Sequence, residues 1–337
     1  MTHGPRSCAT CDEVACAMHR SRSFEAPAER VAWVLDDMWP ETASMVATAF
    51  RPDDELIAPG ILGARLRRYE WPIQRRQVAI IATARRHWAM RRVARATGAV
   101  RQRTYLEQDR LLARQLARAI DFRARHLVIA QAWLPWLEES GALGGRSFDV
   151  VMSRYPLGEI HRLLDEAAEE LGRSATIADF RAPPDLVERE AELLARARRI
   201  YTPHRGIAAL FPEQAARLEW HKPAATLRKA GNRTAFLGPT IARQRPDVAR
   251  RVAMSLKEPL VVFGSMLEPM WDGIEVERRD WGPRWLDGIG AILHPATITN
   301  EPRALLQAQA AGVVIYATET CGLDPSQYRT LDQFRKT

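Results

Sequence analysis

From position 126 onward the chain alternates short, continuous apolar runs with segments of helical period: HLVIAQ, WLPWLEES, FDVVMS, GEIHRLLDEAAEEL, ATIADF, PPDLVEREAELLARAR and RIYTP, then a short helix over 206–210. Each parallel strand needs a crossover to its neighbour and is covered on both faces, so this pattern predicts a parallel sheet between helical layers. Upstream, RVAWVLDD reads as a strand, and ETASMVATAF, VAIIATARRHWAMRRVARAT and YLEQDRLLARQLARAI read as helices. In the last of these, Leu112, Leu116 and Ile120 recur every four residues as a packing stripe. The stretch HKPAATLRKAGNR, 221–233, has no period and carries Pro, Gly and Asn, which marks a linker. Alternation then resumes with TAFLGPT, a helix over 242–256, PLVVFGS, GIEVERR, a helix near 282–286, GAILHPA, the helix EPRALLQAQAAG and VVIYAT. The expected architecture is α/β, with two Rossmann-like doubly wound domains, 30–220 and 234–337, facing across a cleft that is the natural binding site.

The charge is unevenly placed. Formal net charge is +8, and only four of the basic residues are lysine. Between positions 65 and 125 there are 17 Arg against the four acids Glu70, Glu107, Asp109 and Asp121, a local excess of 13 that leaves the remainder net negative. One face of the N-terminal half is therefore expected to be strongly positive. Three partners suit such a face. Arg85, Arg86, Arg91, Arg92 and Arg95, interleaved with Ile81, Trp88 and Met90, suit an anionic lipid surface. They also suit nucleic acid, or plain solvent around a charged helix. No run approaches the ~18 apolar residues of a membrane span, and the N-terminus lacks the apolar stretch of a secretory signal. The expectation is a cytoplasmic protein with peripheral membrane contact through the basic region.

The tail 1–29 contains Cys8, Cys11, Cys16 and His19 in a C-x2-C-x4-C-x2-H spacing. Three thiolates and one imidazole are the donor set of a closed tetrahedral zinc site. The surrounding Thr, Ser, Gly and Pro equally suit an unstructured terminus, and both readings stand at this point.

The second half resembles the nucleotide-sugar domain of retaining GT-B glycosyltransferases, of the family 4 type, in which an E-x7-E helix precedes a G-x-P-V-I-A strand. Four segments match in order: FLGPTIARQRP, LVVFGSML, AILHPATITNEPRALLQAQAAG and VVIYATETCGL. HLVIAQAWLP and EREAELLARARRIYTPH are similar to first-domain segments, so the resemblance spans about 31–323. It implies a donor site built from Gly238, Arg243, Arg245, Gly264, His294, Thr299, Asn300, Arg303 and Gln307, with Gln131 and Glu301 in catalytic positions. It also implies transfer that requires no metal, which leaves any zinc structural. Physically, a diphosphate leaving group gains charge as its bond to the sugar breaks, so backbone N–H groups at a helix start and nearby arginines are the groups to look for.

The sequence departs from the family pattern residue by residue. The second Glu of E-x7-E falls on Gln307 and the first on Thr299, with Glu301 two residues away. The Arg expected after Gly238 is Pro239, the expected Lys is Gln244, and the expected His after the first-domain strand is Gln131. His294 beside Pro295 equally suits a structural turn, His204 a helix cap, and Glu190 an exposed helix charge. The functional expectation is transfer of a sugar from a nucleotide-diphosphate donor to a saccharide, lipid-linked or protein acceptor. A catalytically degenerate binding or scaffold module of the same fold, and a nucleic-acid-associated protein, are the alternatives.

Overall fold

A computed structural model describes residues 30–36, 38–60, 71, 76–172, 174–179 and 181–334. The chain forms two compact units: Met1–Gly158, Phe180–Pro203 and Phe211–Glu219 make the first, and Glu159–Asp179, His204–Leu210 and Trp220–Thr337 the second. The second unit thus takes in two segments from the half of the sequence expected to form the first domain.

In the first unit the strands are β1 (Arg30–Val34), β2 (Glu55–Pro59), β3 (Arg76–Val78), β4 (Ala124–Ala130), β5 (Ser147–Val151), β6 (Ile200–Thr202) and β7 (Ala215–Arg217), in the sheet order β3-β2-β1-β4-β5-β6-β7. Every pairing is parallel. Trp33, Leu35 and Val128 on one face pack with Val46 of the helix Pro40–Ala49 and with Trp71. The sheet of the second unit holds β8 (Arg233–Leu237), β9 (Leu260–Phe263), β10 (Val276–Arg279), β11 (Ile289–His294) and β12 (Val314–Ala317), again all parallel, in the order β10-β9-β8-β11-β12. One face packs on Leu305 and Leu306 of the helix Arg303–Ala310, the other on Ala249 and Val252 of the helix Pro246–Ala253.

Several elements differ from expectation for local reasons. ATIADF is not a strand: Ser174 Oγ accepts the Thr176 N–H at 3.2 Å and starts the helix Ala175–Ala178, the usual role of a serine N-cap. Val78 belongs to β3, and Ala79, at φ 59°, breaks the chain before the helix Ile80–Arg92. The helix expected over 242–256 splits into a single turn Ala242–Gln244 and the helix Pro246–Ala253. Pro246 disfavours helical geometry in the residue before it, and Arg245 sits at φ 56°. Residues 282–286 form hydrogen-bonded turns, with Trp285 N–H on Gly282 O at 3.2 Å.

The segment 221–232 has no regular structure, yet it is fixed to the second unit. The Arg228 guanidinium donates to the carbonyls of Ala311 (2.8 Å), Gly312 (3.3 Å) and Ile289 (2.8 Å), placing a cation where the helix Arg303–Ala310 exposes its terminal carbonyls.

Candidate functional site

Each sheet reverses its strand order once, between β1 and β4 and between β8 and β11. At such a reversal the loops leaving the carboxyl ends diverge and open a crevice. The two corners carry the functional candidates.

At the second-unit corner, β8 runs into Gly238 (φ 120°) and β9 into Gly264 (φ 95°). A Cβ on Gly264 would lie 2.9 Å from the Gly238 carbonyl carbon and oxygen, so the two loops meet backbone to backbone. Glycine is needed there both for its φ and for the contact. The Thr240 N–H donates to the Ser265 carbonyl at 2.8 Å, and the Ala242 N–H is taken as well: Glu268 Oε2 accepts it at 3.0 Å and Thr176 Oγ1 at 3.1 Å. Glu268 Oε1 also accepts the Thr176 hydroxyl at 2.7 Å. An internal carboxylate therefore sits where the resemblance implies phosphate. Arg245 is engaged likewise, its guanidinium meeting Asp247 at 3.0 Å and Glu170 at 2.6 Å. Arg243 contributes its backbone, whose carbonyl accepts the Thr297 N–H at 3.0 Å and ties this loop to the one after β11. Gln244 folds its carboxamide beside Gly238, and its Oε1 is buried without a partner.

The loop after β11 is pinned along its length. His294 is buried, and its Nε2 and Thr299 Oγ1 are hydrogen-bonded at 2.7 Å. Its Nδ1 has no partner. Burial pulls His294 down to about 4, so the ring is neutral near pH 7. The Thr299 carbonyl accepts from His204 Nε2 at 2.9 Å, while His204 Nδ1 accepts the Ile207 N–H at 3.2 Å. His204 is thus a cap, as its place before the helix Arg205–Leu210 suggests, and it also positions Thr299. Gly322 lets it do so, since a Cβ there would fall 2.4 Å from the His204 ring. The Ala296 carbonyl accepts the Thr318 and Thr320 hydroxyls, both at 3.0 Å. Ile298 packs on Leu164, Ile177 and Ala242. Between these anchors, Thr297 Oγ1 is buried and unpartnered. Asn300 is exposed and Glu301 half-buried.

The helix Arg303–Ala310 begins at Pro302 with no side-chain cap. Arg303 stacks over Trp220 at 5.5 Å. One turn on, Gln307 Oε1 accepts the Trp285 indole N–H at 3.3 Å. An indole nitrogen only donates, so this contact fixes the amide orientation and leaves Gln307 Nε2 as the group on offer. Gln307 therefore presents a donor where the expected glutamate would present two acceptors. Trp285 and Phe263 carry the ring of Trp281, at 5.0 and 5.1 Å between centroids. Trp281 lies just beyond the carboxyl end of β10 and is 49% exposed.

In the first-unit corner Gln131 follows β4 and is buried, with Nε2 donating to Glu190 Oε1 at 3.2 Å and to the Tyr155 carbonyl at 3.4 Å. Glu190 is not an exposed helix charge: its relative exposure is 0%. Its carboxylate accepts from Arg154 at 2.9 Å and from the Leu157 N–H. Gln131 belongs to the first unit and Glu301 to the second, so neither unit contains both expected catalytic positions.

Thr297, Trp281, Glu268 and the positioning role of His204 are absent from the sequence-level site. A strand-end loop containing HPATITN marks Thr297 only through its place in the chain, whereas the Glu268 and His204 contacts join elements far apart in sequence. Cys8, Cys11, Cys16 and His19 lie outside the described residues. Among the described residues no group of three or more His, Cys, Asp or Glu is placed to hold a metal ion. No described helix is long and apolar enough to cross a membrane.

No family model and no curated protein matches the chain. Among solved structures, it is similar to the lipopolysaccharide outer core galactosyltransferase WaaB in its apo form, at 10% identity and TM-score 0.47, over 91% of this chain and 87% of that one. It is similar to WaaG, a glycosyltransferase involved in lipopolysaccharide biosynthesis, at 12% identity and TM-score 0.42, over 91% and 88%. It is also similar to Anabaena Alr3699/HepE in complex with UDP-glucose, at 10% identity and TM-score 0.43, over 87% and 81%. At TM-scores below 0.5 these likenesses are too loose to carry an assignment.

Proposed function

We propose that the second unit binds a nucleotide-diphosphate sugar at the β8/β11 corner, and that the chain transfers the sugar, with retention, to a saccharide, lipid-linked or protein acceptor. The observation that carries this reading is the set of buried, unpartnered polar atoms Gln244 Oε1, Thr297 Oγ1 and His294 Nδ1. They lie on the loop after β8, on the last residue of β11 and on the loop after it, and the Thr297 to Arg243 hydrogen bond joins the two loops. A buried polar atom left unbonded costs stability, and three together at a strand reversal are hydrogen-bond positions for an oxygen-rich ligand. Gln244 Oε1 can only accept, which suits a sugar hydroxyl. The uncapped start of Arg303–Ala310 suits the diphosphate, whose charge grows as the anomeric carbon–oxygen bond breaks. Trp281 offers a ring face to the nucleobase. The proposed transfer uses no metal, and zinc on Cys8, Cys11, Cys16 and His19 would be structural. Metal analysis of the full chain against a Cys8→Ser/Cys11→Ser variant tests that part.

A second reading, a binding module without turnover, is favoured by three positions filled from within: the Ala242 N–H by Glu268, Arg245 by Asp247 and Glu170, and Gln307 Oε1 by Trp285. Thermal unfolding across a panel of nucleotide sugars tests both. The donor site predicts a rise of a few degrees with one nucleotide class, weakened by Trp281→Ala. No shift with any nucleotide would remove the donor reading. A shift without release of nucleoside diphosphate in the presence of acceptor candidates would select the second.

A further inference from the structure

The helix Ile80–Arg92 buries none of its residues completely. Its inner side packs along the helix Gly98–Ala117, where Arg86 meets Asp109 at 2.7 Å. On its outer side Ile81, Arg85, Trp88 and Arg92 follow at helical spacing, all exposed, with Ile81 at 85% and Trp88 at 60%. The Arg92 guanidinium lies over the Trp88 ring at 4.5 Å. The sequence has no acid from 71 to 106, and Arg85, Arg91, Arg92 and Arg95 make no ion pair among the described residues.

We infer that this outer face docks on an anionic lipid bilayer. Exposed apolar side chains framed by unpaired arginines match a headgroup boundary: Ile81 and Trp88 enter the interfacial layer while the guanidinium groups meet lipid phosphates. A nucleic acid matches the face less well. Ile81 offers nothing to a phosphate, and Arg92 already stacks on one face of the Trp88 ring. This inference is independent of the donor site, because it rests on other residues in the other unit.

Flotation of the full-length chain with phosphatidylcholine vesicles, with and without phosphatidylglycerol, tests it. Binding is expected only to the anionic vesicles, at low salt, and to weaken strongly at about 0.5 M salt. Arg85→Ala and Arg91→Ala are each expected to weaken it about fivefold. The double variant Ile81→Glu/Trp88→Glu is expected to weaken it about tenfold or more. Its circular dichroism and melting temperature should stay unchanged, because both side chains are exposed. Three results would overturn the inference: no vesicle binding, equal binding to neutral vesicles, or undiminished binding by a folded double variant. Salt-sensitive binding of duplex DNA without vesicle binding would also overturn it and assign the face to nucleic acid.

Discussion

The two strand-reversal corners solve opposite problems with similar materials. In the first unit a carboxylate of zero exposure, Glu190, is surrounded by donors from Gln131, Arg154 and the Leu157 backbone. In the second, the charged groups Glu268 and Arg245 are engaged internally, while the neutral atoms Gln244 Oε1, Thr297 Oγ1 and His294 Nδ1 have no internal partner. A network of this kind fixes the fold, because loss of a donor leaves the buried Glu190 carboxylate under-bonded and loss of Glu190 leaves its donors without that acceptor. A pinned set of unfilled hydrogen-bond positions suits a ligand. The first corner is not wholly closed, since Gln131 Oε1 and Trp133 Nε1 are also unpartnered.

The contrast can be broken by substitution, and the largest effect should come from Glu190→Ala. It takes the acceptor from the buried Leu157 N–H, from Gln131 and from half-buried Arg154, and should cost about 3 kcal/mol in denaturant unfolding. Nucleotide binding by the chain that remains folded should persist; its loss would show that the first corner also serves the ligand.

The next effect is one of pH. Burial holds His294 near 4, whereas an unfolded histidine takes its proton near 6.5. Between those values the unfolded chain binds more protons, so stability should fall as pH drops from about 6.5 to about 4 and level off below, by on the order of 3 kcal/mol. A His294→Asn variant should lack this slope in denaturation midpoints measured across that range. An unchanged slope would assign it to other groups.

Gly264→Ala should cost about 1–3 kcal/mol, because both its φ and the approach of Gly238 exclude a side chain. The same variant should also lose nucleotide binding through displacement of the Gly238 loop.

The smallest change should be the most discriminating. Thr297 Oγ1 has no partner in the free protein. Thr297→Val should therefore leave stability within about 0.5 kcal/mol of the parent while weakening ligand binding about tenfold. A clear loss of stability without loss of binding would reverse the assignment of that corner.

The layers of this protein were readable from periodicity because strands and helices bury their faces at fixed intervals. β4, β5, β8, β9, β11 and β12 all coincide with continuous apolar runs. β2 escaped because ELIAP holds only the short apolar run LIA between an acid and a proline, and β7 because AAR is too short to show a period. ATIADF misled because Ser174 supplies a cap that outweighs its mixed propensity. Within the site, the loops after β8 and β11 were legible as glycine- and threonine-bearing strand ends. The engagement of Arg245 by Glu170, the donor orientation of Gln307 and the burial of Glu190 were not legible.

By itself the sequence determined which segments are strands and helices of two parallel sheets, where each strand-end loop falls, and that positive charge gathers in the first unit. These are local or summed properties that a linear pattern records directly. Only the tertiary structure decided which polar groups are already partnered and which are left over. Partnership depends on atoms brought within about 3 Å of one another from positions such as Thr176 and Ala242, or His204 and Thr299, and no spacing along the chain encodes it.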